Sequence, residues 1–405
     1  MGRLVSVAAQ SQRYPAVIAI KVSRAMFNLG LGLRNVAEAS PQEMPQGDLL
    51  ENVTSITDNE LGPMVTSIDR DGVYPENVMR ALGGSGAFGV HLPGVATGEP
   101  DLEAAIRAMS KVSEHCLSTS FCTWCQDALG WYIYTSENTS LHGRVGQKVA
   151  TGQLLGGTGL SNPMKTLFGI EKMRLKAKRV AGGYTVRGGL PWVSNLGPDH
   201  IFGGMFELED DPTHRIMAIV DCAGPGVKLT VNDNFVALEG TRTYTIGMRD
   251  AFIPDEMILA DPINAYIPKI RAGFILLQSG MAFGLIRNCI SLMTQVRGSL
   301  GHVNKHLERQ PEDFEESLAA MEAEVFELCK TPFDPDPVYF RRVVEARLQA
   351  GEEAVQAAHY AMLHQGARGY VSHGAAQRRL REAYFVAIVT PATKQLRKML
   401  ADMSH

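Results

Sequence analysis

Lys176-Ala-Lys-Arg-Val-Ala-Gly-Gly-Tyr-Thr-Val-Arg-Gly-Gly-Leu-Pro-Trp-Val-Ser-Asn195 holds short alternating runs on either side of Gly182-Gly183. Branched and aromatic residues (Val180, Tyr184, Val186) broken by glycine read as strands separated by a turn. The same texture extends outward. Runs at 173–180, 184–187, 201–206, 215–220, 227–231 and 243–246 are parted by glycine and proline. No long helical pattern interrupts them, which excludes alternating strand–helix units and predicts an antiparallel barrel or sandwich over residues 156–262.

Both flanks are helical. Before the strands, Leu49-Leu50, Val53, Ile56 and Leu61 recur at three- and four-residue intervals, the mark of one buried stripe. Pro75 opens a further helix, and 101–116 and 119–135 give two more. After Pro262 come long segments at 264–297, 311–329, 339–364 and 375–403. Four helices of that length bury their stripes as a bundle. The expected fold is thus α+β and mainly α. It comprises a loose or targeting-like extension (1–45), a helical domain (46–155), a β domain (156–262) and a four-helix bundle (263–405).

Composition narrows the function. The chain has 405 residues, 45% hydrophobic and 20% charged, with a net charge of −4, which argues against a nucleic-acid partner. The apolar stretch 274–286 contains Gln278 and is too short to span a bilayer. Six cysteines are too few for a disulfide scaffold and read as reduced thiols of a cytoplasmic compartment. The amino terminus carries five basic residues before the first acidic one, Glu38, so a mitochondrial-matrix transit segment is the alternative. Cys122 and Cys125 lack a second ligand pair, and His302 and His306 sit beside polar helix-end residues, so no metal is expected. Gly84-Ser-Gly-Ala-Phe-Gly89 follows a helix where a dinucleotide fingerprint must follow a strand, so it reads as a helix cap and turn.

Several segments together carry a resemblance. Ser161-Asn-Pro163, Gly182-Gly-Tyr184 to Gly188 and Trp192-Val-Ser-Asn195 are followed by Thr243 and Asp250-Ala-Phe-Ile-Pro254. Arg297-Gly-Ser-Leu-Gly301, Gly366-Ala-Arg-Gly-Tyr370 and Arg381-Glu-Ala383 complete the series. In this order, over about residues 60–400, the chain resembles the acyl-CoA dehydrogenase superfamily of flavoproteins. The resemblance implies FAD (FMN for a monooxygenase branch), an acyl-CoA substrate and a homo-oligomer, dimer or tetramer. It also implies that Leu160, Ser161, Trp192, Val193 and Ser194 line the flavin ring. Arg297, Gly366 and Gly369 would hold the diphosphate, partly across a subunit boundary. A guanidinium donates bidentately to a diphosphate, and glycine lets the backbone approach it. Trp124, Cys125, Asp127, Phe274 and Gln278 are substrate-pocket candidates.

The resemblance breaks at the proton acceptor. Family members place a Glu shortly after Arg-Asp-Ala. Counting from Ala383, that position is Thr390, and a second family location falls near Phe274. Neither is a base at neutral pH, so the catalytic residue is unknown from sequence. Asn162 and Glu239 also depart from the pattern. Three readings follow: α,β-dehydrogenation of an acyl thioester with its base not located, a reduced-flavin-dependent monooxygenase on a small organic substrate, or a catalytically silent subunit of a hetero-oligomer.

Overall fold

The chain is described from a computed structural model over residues 48–95 and 99–404; the expectation for residues 1–45 lies outside them. Asp48 accepts from the Leu50 amide at 2.9 Å and starts α1 (Leu49–Ile56). A π turn over Thr57–Leu61 leads into α2 (Gly62–Asp71). Helix α3 (Glu76–Gly84) starts directly after Pro75 and ends in turns through Gly84, Gly86 and Gly89, so this glycine cluster is a helix end. Asp101 caps α4 (Leu102–His115) through the Ala104 amide, and α5 (Leu117–Thr135) and the short α6 (Gln147–Ala150) follow. Nearly every residue of α5 is buried, the mark of a helix enclosed on all sides.

The middle region runs β1 (Gly156–Thr158), α7 (Ser161–Leu167), β2 (Lys176–Val180), β3 (Gly183–Val193), β4 (Ile201–Leu208) and β5 (Arg215–Asp221). Then come β6 (Val227–Val231), β7 (Tyr244–Pro254) and β8 (Ile258–Ala260). The strand order is β6-β7-β3-β2-β4-β5-β8, with β1 beside β4. The expectation of a purely antiparallel sheet needs correction: β1–β4 and β2–β4 are parallel. β2–β3 and β4–β5 are two hairpins whose first strands meet side by side, and two first strands run the same way. Alternate residues serve opposite faces. Phe202, Phe206, Ile216 and Ala218 join β3 and β7 residues in a core inside the sheet. Strands from both ends of the order contribute to that cluster, so the sheet bends around it. Ile201, Met205, Met217 and Ile219 face the helices.

The last region contains α8 (Ile267–Leu276), α9 (Ser279–Gln295), α10 (Arg297–Asn304), α11 (Pro311–Cys329), α12 (Pro337–Gln365), α13 (Ala375–Ile388) and α14 (Thr393–Asp402). Two expected single helices are therefore broken, at 277–278 and at 389–392. Pro391 supplies no amide hydrogen, which ends regular pairing there; it follows a cis bond from Thr390. The span 267–295 is long and apolar enough to cross a membrane by composition, but 83% of its most apolar window is buried inside the protein. α9 packs against α4 at backbone distance: a Cβ on Gly284 would stand 2.0 Å from the Ser110 carbonyl oxygen. One large apolar cluster consequently joins α4, α5, α8, α9 and α11–α14.

Candidate active site

A cavity of about 1450 Å³ opens where α5, the β1–α7 junction and β3 meet α8, α12, α13 and the α13–α14 loop. Its inner end is aromatic. Phe121 stacks on Trp124 with centroids 5.7 Å apart and meets Phe385 edge-on at 4.5 Å. Trp124 meets Phe274 edge-on at 5.1 Å and donates its indole N–H to the Phe274 carbonyl at 3.3 Å. Such tilted and offset pairs are the favoured ring geometries. Cys125 also lines this end, and burial pushes its thiol well up, so it is an apolar lining group.

Hydroxyls dominate the sheet side. Thr158 shares a hydrogen bond of 2.9 Å with the Tyr132 hydroxyl. The Ser194 and Thr243 hydroxyls are 2.5 Å apart, and Thr241 lies 2.8 Å from Thr243. Ser161 reaches across to the Thr390 hydroxyl at 2.9 Å. Between them Trp192 stands in the left-handed region with φ 58 and is 63% exposed. The pairing of β3 with β7 shifts register between Leu190 and Val193; such irregularities re-aim a side chain, here toward the cavity.

The structure thus brings together Ser161, Trp192, Ser194, Trp124, Cys125, Phe274 and Thr390. Leu160 and Val193 are buried in apolar clusters beside Ser161 and Ser194, leaving their backbone as what they offer. Asp127 is not among the lining residues. It is 1% exposed, neither carboxylate oxygen has a partner among the described residues, and burial raises its acid well above the usual range. Helical spacing puts it near Trp124, but on a helix buried all round that neighbourhood is core. Gln278 also lies behind the wall, donating to the Thr390 carbonyl at 2.9 Å. Arg297 is exposed and pairs with Glu312. Neither it nor Gly366 and Gly369, at the end of α12, lines the cavity of the single chain.

Sequence reasoning missed Phe121, Phe385 and the Thr241–Thr243 pair as lining residues. Thr243 was visible as a landmark, but no local pattern ties residue 121 to residue 385. The lining carboxylates are all engaged: Glu171 with Lys165 at 3.0 Å, Glu345 with Arg341 at 2.9 Å, Glu352 with Arg397 at 2.5 Å and Glu353 with Arg309 at 2.7 Å. The arrangement can accept a planar ring system against Trp192 and the hydroxyl row, and an apolar group against the aromatic end. Its volume exceeds the 300–1,000 Å³ or so of an ordinary ligand pocket, so the residues present fit a flavin ring together with a substrate.

Comparison with known proteins agrees with this geometry. Residues 45–153 match the family described as Acyl-CoA dehydrogenase, N-terminal domain. The probable acyl-CoA dehydrogenase YngJ of Bacillus subtilis is 22% identical, over 84% of this chain and 92% of its own length. Butyryl-CoA dehydrogenase from Megasphaera elsdenii superposes with a TM-score of 0.76 at 16% identity, covering 89% of this chain and 99% of that one. PigA with FAD and proline superposes equally, with a TM-score of 0.76 at 14% identity over 88% and 96% of the two chains. Residues 45–153 thus match an acyl-CoA dehydrogenase N-terminal domain, and the chain as a whole has the helix–sheet–helix fold of the acyl-CoA dehydrogenases.

Proposed function

We propose that the chain is an FAD-dependent oxidoreductase that removes the α and β hydrogens of an acyl thioester. The observation that carries this reading is the cavity itself. An exposed indole at Trp192 and hydroxyls at Ser161 and Ser194 face an aromatic end across a space large enough for two ligands. A bound flavin supplies the hydride acceptor; a protein fixes its orientation and tunes its electronics. Trp192 offers a stacking face, and Ser161 and Ser194 offer hydrogen bonds to ring heteroatoms. Trp124, Phe274 and Phe385 exclude water from the acyl group, and the Thr390 hydroxyl stands where the family places its base. Purified protein carrying a flavin whose visible absorbance bleaches on anaerobic mixing with short- or medium-chain acyl-CoA supports the reading. A flavin that no acyl-CoA bleaches overturns the dehydrogenase assignment.

One observation favours a second reading. Every carboxylate lining the cavity is held in an ion pair, which suits a reduced-flavin-dependent monooxygenase, whose chemistry needs no carboxylate base. Oxygen consumption with externally supplied reduced flavin and a small organic substrate tests it. We also propose a homo-oligomer. The residues expected at the diphosphate lie outside the single-chain cavity, and Leu363, Tyr370 and Val371 are exposed beside Gly366 and Gly369. Sedimentation analysis reads the stoichiometry. All six cysteines are free and buried, in keeping with a reducing compartment such as the cytoplasm.

A further inference from the structure

Behind Thr390 lies a charge that the reading above does not use. Arg347, on α12, is 2% exposed. Its Nε donates to Gln278 Oε1 at 2.7 Å and its Nη2 to the Val386 carbonyl at 2.6 Å. The same Gln278 amide donates from Nε2 to the Thr390 carbonyl at 2.9 Å. One amide therefore links the guanidinium to the loop whose hydroxyl faces the cavity, while the second contact fixes the end of α13 just before that loop.

Its partners are all neutral. Among the described residues Arg347 enters no ion pair, whereas the equally buried Arg379 is matched by Glu382 at 2.8 Å. The lining carboxylates closest to it along α12, Glu345 and Glu352, are neutralised by Arg341 and Arg397. A buried charge without a counter-charge is strongly unfavourable unless something supplies one. In a low-dielectric wall its field extends into the adjoining space.

We propose that Arg347 is a positioning residue that makes the Thr390 end of the cavity select an anionic group. Through Gln278 it sets the Thr390 loop, and its unmatched charge stabilises negative charge beside the Ser161 and Thr390 hydroxyls. The ligand class is an organic anion, or a substrate that gains negative charge there as it reacts. The inference rests on this cavity being the functional site, and it requires no particular flavin chemistry.

The test is calorimetric titration of the purified protein with benzoate and with benzamide, two planar ligands of like shape of which one is charged. The wild type is expected to bind benzoate about tenfold tighter or more. Arg347→Met removes the preference, and Arg347→Lys retains part of it. Gln278→Glu, which places a carboxylate against the guanidinium, removes it without removing Arg347. Thermal unfolding reports folding of each variant. Absence of a benzoate preference in the wild type overturns the proposal, as does its survival in Arg347→Met. Equal loss in the Lys and Met variants reduces Arg347 to a structural bridge and also overturns it. If Arg347→Met does not fold, Gln278→Glu decides alone, and a retained preference there counts against the inference. Flavin content is read separately from the visible spectrum, so failure of the proposed function leaves the benzoate ratio standing as its own result.

Discussion

Thr390 is the residue on which the chemistry turns. Its hydroxyl is tied to Ser161 at 2.9 Å and its carbonyl to Gln278, so the loop is already held in a position facing the cavity. A carboxylate placed there gains a role that general-base catalysis values at about 10²–10⁴-fold. On the dehydrogenase reading, Thr390→Glu is expected to speed anaerobic flavin bleaching by butyryl-CoA by at least about 10²-fold, measured by stopped-flow absorbance. Trp192 makes a different prediction. Its exposed indole is the stacking face, and ring stacking is worth about 0.5–1.5 kcal/mol. Trp192→Ala is therefore expected to weaken flavin retention by about three- to tenfold, measured by equilibrium dialysis. Asp127 tests burial alone. Desolvation raises its folded-state pKa well above the ordinary carboxylate range, so the native state binds the proton more tightly than the unfolded chain. Stability is then lost as pH rises above the ordinary carboxylate range. Asp127→Asn is expected to stabilise the protein by about 1–3 kcal/mol at pH 7. The gain should shrink toward pH 4, as read from urea midpoints across that range.

Elements explain what the sequence disclosed and what it withheld. The β region was legible because glycine and proline mark strand ends locally, and Trp192, Ser161 and Ser194 lie within or beside those short runs. The parallel β2–β4 pairing was not, since it depends on how two hairpins dock and leaves no trace in either one. Helix breaks were partly hidden. Apolar residues continue through Leu277-Gln278, so periodicity runs on, while the chain ends α8 and begins α9 there. Asp127 shows a further limit: spacing of three residues from Trp124 implies a shared face only on a helix that has one, and α5 is buried all round. Contact between α4 and α9 was likewise invisible, although the small residues that allow it, Gly280 and Gly284, stand in the sequence. With 2.0 Å between an added Cβ and the Ser110 carbonyl oxygen, a side chain at 284 forces the two helices apart. Overpacking of this kind costs about 1–3 kcal/mol. Gly284→Val is expected to destabilise the protein by at least that amount, measured by urea unfolding, with the circular-dichroism spectrum of the folded state retained.

At the scale of the whole molecule, the division into helical, β and bundle regions describes the order of the chain better than its energetics. α4 and α5 belong to the same apolar cluster as α8, α9 and α11–α14, and one face of the sheet joins that cluster through Ile201, Met205, Met217 and Ile219. The cavity sits at this junction, so its helical walls, which carry Trp124, Phe274 and Phe385, are also part of the shared core. A fragment ending at residue 262 would leave the α9-facing side of α4 and the α8-facing side of α5 without cover, exposing residues such as Ile106, Met109, Trp124 and Trp131. Burial of each large apolar side chain contributes about 1.5–3 kcal/mol, and removing several partners at once exceeds the net stability of a typical domain, about 5–15 kcal/mol. The fragment 46–262 is therefore expected to lack cooperative unfolding, whereas residues 46–405 unfold in one transition. Tryptophan fluorescence follows Trp124, Trp131 and Trp192, and far-ultraviolet circular dichroism follows the helices. Coincident curves for the long chain, together with a sloping curve for the fragment, support the shared core. A fragment with its own sharp transition shows instead that the helical and β regions fold without the bundle and that the cavity forms by docking of finished domains.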